Sequence, residues 1–324
     1  MDELDEVTAL PPELTLDEFR ARLSTLEHLT AKDAIILSDI DRAKLAQVRR
    51  IWPTLPREAR KRLTADIVEL GETSIEYNFS RVLKVALRDD DAEVRARAIT
   101  GLWEDEGEDL LAYLLDDALR DPVEAVREAA VQALARFSQL AVEDKISERW
   151  RAPLREALLT LVRGAESPEI RRRALEALAV YIEDAEVAEQ IARAYASPNE
   201  TSQMSALYAM GRNLDGRWLD TIIAEMDSDS PGLRYEATKA SGEFGDRRAV
   251  PQLIERLGDD DREVQLAAIG SLGQIGGNAS LNILKRLAGS KDDVVREAAE
   301  EALDEASFIS NPIGIGGRLE RDDE

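Results

Sequence analysis

The chain has 324 residues, 42 basic and 66 acidic side chains for a formal net charge of −24, and no cysteine. That charge argues against a surface given over to nucleic acid or an anionic membrane, and the missing thiols exclude disulfides, thiolate metal sites and cysteine nucleophiles. Hydrophobic residues make up 44% but aromatics only 5%, so alanine and leucine must carry the packing, and no apolar run approaches the roughly 18 residues of a membrane span.

Residues 1–14 hold five acids, two prolines and no base, and read as a mobile acidic lead-in. They lack the basic-then-apolar start of a secretory signal, which predicts a soluble cytoplasmic protein. Thr15-Leu16-Asp17-Glu18 has the spacing of a capping box and predicts a helix to about Leu26. A second helix is expected from Ser38 or Asp39, with Ile40, Leu45, Val48 and Ile51 on its apolar face and Pro53 as its stop. A third is expected over Arg57–Leu70, ended by Gly71. Its Ala59-Arg60 sits where a repeat would place its anchor pair, so residues 15–71 read as a degenerate N-terminal cap.

After a helix expected over Ile75–Leu87, one pattern returns seven times. Val94, Val126, Ile170, Ser202, Leu233, Val264 and Val295 stand at intervals of 32, 44, 32, 31, 31 and 31 residues. Four residues after each anchor comes alanine: Ala98, Ala130, Ala174, Ala206, Ala237, Ala268 and Ala299. Seven after comes a small residue (Gly101, Ala133, Ala177, Ala209, Ala240, Ser271, Ala302) and eight after Leu102, Leu134, Leu178, Met210, Ser241, Leu272 and Leu303. Spacings of four and eight put these columns on one helix face. An apolar residue eleven before the next anchor (Leu115, Leu159, Ile191, Ile222, Leu253, Leu284) marks a second helix in each unit. Such self-similarity is the mark of a solenoid, here over residues 72–306, and the whole chain is expected to hold about fifteen helices and no sheet. The long interval inserts about a dozen residues around Ser138–Trp150, as a polar loop or extra helical turn. In the last unit Glu300 replaces the apolar Ile99, Val131, Leu175, Leu207 and Ile269 of its predecessors, which reads as a C-terminal cap. The tail, 307–324, carries Phe308, Ile309, Pro312, Ile313 and Ile315, an apolar run expected to lie over the last unit.

The pattern Asp-x-x-Val-Arg followed by the alanine and leucine columns resembles the HEAT repeat. Its 31-residue form with Gly-Asp or Gly-Gly turns, as in Phe244-Gly245-Asp246 and Ile275-Gly276-Gly277, is similar to the subtype named after the phycobilisome lyases. The resemblance implies an all-α, right-handed superhelix whose second helices line a concave surface. It also implies a ladder between neighbouring units, for which Arg95, Arg127, Arg171, Arg234 and Arg296 match while Gln203 and Gln265 break it.

The remaining constellations are weak as chemistry. Asp89-Asp90-Asp91 and Asp259-Asp260-Asp261 fall at one point of the repeat and read as helix caps. Glu104–Asp109 reads as a solvated loop rather than a calcium site. His28, the sole histidine, excludes a multi-histidine metal centre, including the paired sites of the HEAT-like hydroxylases, and leaves serine nucleophiles without a partner. Ile313-Gly314-Ile315-Gly316-Gly317 has no strand before it and is no phosphate loop. Residues 41–62 carry eight bases against two acids; a solvated face, or docking against the protein's own acids, competes there with contact to an acidic partner or nucleic acid. The reading is therefore of a non-catalytic scaffold without cofactor or metal, holding a basic or amphipathic protein segment. Its expected site lies on the second helices, at Tyr113, Asp117, Glu189, Arg193, Asp220 and Glu255. Trp103 and Trp150, in or beside loops, are the second choice. The alternatives are a subunit like the bilin lyases and a nucleic-acid protein like the HEAT-like DNA glycosylases.

Overall fold

The computed structural model describes residues 35–310, with side chains over 36–306, and a few positions between Thr15 and Ala21. At those few, the backbone amide of Thr15 donates to Glu18 at 2.8 Å and that of Glu18 to the Thr15 hydroxyl at 3.3 Å, the reciprocal capping box the spacing requires. The acidic lead-in, His28 and the tail beyond Ser310 lie outside the described residues.

Sixteen α-helices and no strand are present among the described residues. They are α1 (Arg42–Ile51), α2 (Arg57–Thr73), α3 (Ser80–Ala86), α4 (Ala92–Gly101), α5 (Glu108–Asp116), α6 (Glu124–Val142), α7 (Glu148–Arg163) and α8 (Pro168–Leu178). There follow α9 (Ala185–Tyr195), α10 (Glu200–Asn213), α11 (Leu219–Glu225), α12 (Pro231–Phe244), α13 (Val250–Arg256), α14 (Arg262–Ile275), α15 (Gly277–Leu287) and α16 (Asp293–Ser310). The chain parts into two compact units. The first runs to Ala141 and takes back Ile146–Trp150; the second holds Val142–Lys145 and continues from Arg151.

Most repeat boundaries follow from capping. Asp91, Ser167, Asn199, Ser230 and Asp261 each accept a first-turn amide with the side chain at the start of α4, α8, α10, α12 and α14. Gly245 (φ +74°) closes α12 and Gly276 (φ +63°) closes α14 in a backbone region that glycine tolerates best. Near the N-terminus the boundaries move. Asp41, not Ser38 or Asp39, caps α1 by accepting from the Lys44 amide at 2.7 Å. Helix α2 runs through Gly71 to Thr73, because Gly71 has ordinary helical φ and no left-handed exit. The helix expected over Ile75–Leu87 begins only at Ser80, after a turn. The extra residues of the long interval lengthen α6, to 19 residues, before the turn that precedes α7.

Packing follows the columns. All seven column alanines are buried, as are Leu115, Leu159, Ile191, Ile222, Leu253 and Leu284. In the second unit α8, α10, α12, α14 and α16 stack side by side, and α9, α11, α13 and α15 each pack on the helix that follows. In the first unit α2 and α3 pack on α4. Three glycines nine residues after an anchor let the stacked helices touch backbone to backbone. A Cβ on Gly211 would lie 2.7 Å from Ala240 Cα, on Gly242 2.8 Å from Ser271 Cα, and on Gly273 2.9 Å from Ala302 Cα. Each glycine thus faces the small residue seven after the next anchor. In α16 Glu300 is exposed where its predecessors are buried, as a terminal helix requires.

Ala237→Leu or Gly273→Ala should destabilise the protein by about 1–3 kcal/mol through overpacking. Glu301→Ala on the open face of α16 should stay within about 0.5 kcal/mol. Denaturant unfolding checks this, and equal effects at the two kinds of site would contradict the packing.

Candidate interaction surfaces

Arginines one residue after the anchor define a ladder with a second seat, five residues before the next anchor. Arg95 donates from Nε and Nη2 to both oxygens of Asp121 at 2.8 and 2.9 Å, and Arg234 holds Asp259 in the same way at 2.9 Å for both bonds. Arg60 of the cap helix α2 takes the equivalent place and pairs with Asp89 at 2.7 Å and with Asp90. Arg127 reaches the Asp121 carbonyl, and Arg296 turns to Asp293 within its own helix. At both break points a glutamine stands where the acid seat is serine, Gln203 with Ser228 and Gln265 with Ser290.

The acidic runs are structural. Asp89 accepts from Trp52 Nε1 at 2.6 Å as well as pairing with Arg60, and Asp91 caps α4 while pairing with Arg57 and Lys61. So the basic segment docks in part on the protein's own acids. Hydrogen bonds from Arg57 hold the Asp91 carboxyl below the usual range despite the opposing cost of burial. Arg42, Lys44, Arg49 and Arg50 of α1 have no acid partner among the described residues. The loop Glu104–Asp109 is more than a solvated connection. Lys84 bridges Asp105 at 2.9 Å and Asp109 at 2.8 Å. Glu108 accepts from the Ser147 amide at 2.8 Å, Arg149 at 2.7 Å and Trp150 Nε1 at 3.2 Å. No cluster suited to a metal ion occurs among the described residues, and no described helix is long and apolar enough to cross a membrane.

The expected second-helix site divides between the units. In the first, Tyr113 is buried: its hydroxyl donates to the Leu87 carbonyl and Arg88 stacks over its ring, while burial pushes its pKa up to about 12. Asp117 is exposed and meets Arg88 at 3.2 Å. In the second, Glu189, Arg193, Asp220 and Glu255 are all exposed; Glu189 and Arg193 pair with each other at 2.6 Å. Tyr195 donates to Glu225, and Trp218 is buried with its Nε1 on Asn213 at 3.1 Å.

The other surface is a groove in the first unit. A cavity of 610 Å³ is lined by Ile75, Tyr77, Arg81, Lys84, Trp103 and Glu104, among others. Ile75 is fully exposed and Trp103 half-exposed. Arg81 is engaged by the Ile40 carbonyl and Lys84 by Asp105 and Asp109. Glu76 and Glu104 are exposed with no cation beside them among the described residues. The groove therefore offers apolar surface beside uncompensated negative charge. Sequence reasoning flagged Trp103 by its place in a loop but not Ile75, whose exposure depends on the late start of α3.

These stacked helix pairs define the class: an all-α protein built of HEAT-type units, as in α-solenoids. A family model for HEAT repeats matches residues 80–157 and 219–304, half of the chain, and the chain belongs to that family. No curated protein sequence matches it. Among solved structures, yeast importin β (Kap95p) is similar with a TM-score of 0.55 at 14% identity, over 91% of this chain but 44% of the importin. The chain thus spans less than half of the importin's length. The CpcE–CpcF phycocyanin lyase of Nostoc sp. is similar with a TM-score of 0.50 at 17% identity, over 72% of this chain and 92% of that one. At these identities the likeness is one of fold.

Hydrogen bonds from Ser147 and the charge of Arg149 lower the Glu108 carboxyl from 4.5 to about 2. A depressed folded value means the contact stabilises fully above the unfolded pKa and is lost as pH falls through the folded one. NMR titration should place the Glu108 midpoint near pH 2 and show the Ser147 amide losing protection as pH drops from about 4.5 toward 2. A midpoint above 4 would mean that Glu108 does not pin the turn before α7.

Proposed function

We propose that the chain is a protein-interaction scaffold that holds a basic, amphipathic protein segment and performs no chemistry of its own. The observation that supports it most is the Trp103 groove, where exposed Trp103 and Ile75 share the lining with Glu104 while the neighbouring cations are already engaged. An aromatic anchor in a cavity with unpaired charge at its rim is the arrangement from which binding hot spots are made. A segment with an apolar side chain between lysines or arginines complements it in both respects. The exposed acids Glu189, Asp220 and Glu255 on α9, α11 and α13 give the second helices the same electrostatic preference. Importin β, similar in fold, is found in complex with Nup1, so helix-pair scaffolds of this kind do serve as protein receptors.

Selection from a random peptide display library should enrich sequences with Lys or Arg flanking a large apolar residue. Trp103→Ala with Glu104→Lys should weaken the selected peptides at least tenfold, about 1.4 kcal/mol. Raising salt should weaken binding further, since exposed charges are screened over about 8–10 Å at physiological ionic strength. Glu189, Asp220 and Glu255 changed together to lysine report on the second-helix surface. Enrichment of acidic peptides, or unaltered binding by both variants, would overturn the proposal.

A further inference from the structure

One rung of the ladder is half empty, and a cavity opens there. On the paired rungs the acid does two jobs. Asp89, Asp121 and Asp259 each accept from the backbone amide two residues on, at 2.8, 2.9 and 2.9 Å, and each also receives an arginine. At the corresponding seat before α10 stands Ser197. Its hydroxyl accepts from the Asn199 amide at 3.2 Å, so the turn is held as before. Serine brings no charge, however, and the arginine of this rung, Arg171, has no acid partner among the described residues. Where serine takes this seat at Ser228 and Ser290, the arginine has become Gln203 or Gln265. Only here, among the described units of the second half, is the cation kept and its acid removed.

Arg171 and Ser197 both line a cavity of 510 Å³ in the second unit, with Arg163, Arg172 and Arg193. Four arginines against the single Glu169 make this lining strongly cationic in a chain whose net charge is −24. Three of those arginines have acids already: Arg163 meets Glu186 at 2.9 Å, Arg193 meets Glu189 at 2.6 Å, and Arg172 is held by Glu169 and Glu176. Arg171 is the one with an open fork. Gln190 lines the same cavity, is only 5% exposed, and makes no hydrogen bond among the described residues. Its amide is therefore open to a polar ligand in the cavity. Leu175, Pro168 and Val162 supply apolar wall between these polar groups. Convergent polar groups beside a limited apolar wall, in a cavity of this size, suit a small polar ligand.

We propose that this cavity binds a small carboxylic acid, whose carboxylate occupies the seat that aspartate fills on the paired rungs. The planar fork of arginine matches a carboxylate bidentately, as Arg95 and Arg234 show with Asp121 and Asp259. The Gln190 amide meets a second polar group on the ligand's body. Such a ligand would bridge α8 and the turn before α10 where the protein's own rung does not. The site is independent of the Trp103 groove and of any protein partner.

The test titrates the full-length protein with succinate, glutarate and citrate at constant ionic strength, with inorganic phosphate as control, following melting temperature and heat. At least one carboxylate should raise the melting temperature of the wild type saturably. Arg171→Gln should weaken that response at least tenfold while leaving helicity intact, since glutamine occupies the same register at two other rungs. Ser197→Asp should fill the seat from within: it should melt higher than the wild type without ligand and no longer respond to the carboxylate. The proposal is overturned if no carboxylate gives a saturable response, if both variants respond as the wild type does, or if phosphate alone binds.

Discussion

The approach of one first helix to the next governs everything else in this protein. At Gly211, Gly242 and Gly273 the neighbouring backbone stands where a side chain would otherwise be. Helices packed so closely need small residues on both sides of the contact, which is why alanine fills the column four after the anchor and small residues the column seven after it. The apolar anchors and leucines then close the sides. Because each helix pair buries its face only against its neighbours, the fold is maintained locally, and a change in one unit is felt chiefly by the next.

Charge is used differently at the helix ends than on the faces. Some arginines and lysines are engaged by the ladder, by the caps and by the Lys84 bridge, while those of α1 and many acids face solvent. That division gives the Trp103 groove its negative rim, and it makes the cationic cavity at Arg171 an exception within the same chain. Both surfaces arise where the repeat departs from its own rule.

Much of the frame was legible in the residues alone. The alanine and second-helix columns are buried as their periods require, and Ala59-Arg60 marked the place where Arg60 completes a rung with Asp89. What escaped was whatever depends on a partner far along the chain. Tyr113 has the spacing of an exposed position, but its hydroxyl finds the Leu87 carbonyl, 26 residues away, and the ring follows it inward. The arginine column by itself does not show the acid seats, so Arg171 has the same spacing as Arg95 and Arg234. The glycines nine after the anchor occur in three units and lie just beyond the columns, and only the packed structure shows what they face.

The central claim is that the seat five residues before an anchor and the arginine one residue after the preceding anchor form an energetic unit. A double-mutant cycle on the intact rung tests it most directly, with Arg234→Gln, Asp259→Ser and the pair together, the residues that neighbouring rungs carry naturally. The two changes should not be additive, with a coupling of about 0.5–3 kcal/mol that falls as salt is raised. Additive effects would show that the rung carries no coupling, and with it would go the reason for treating Ser197 as an open seat.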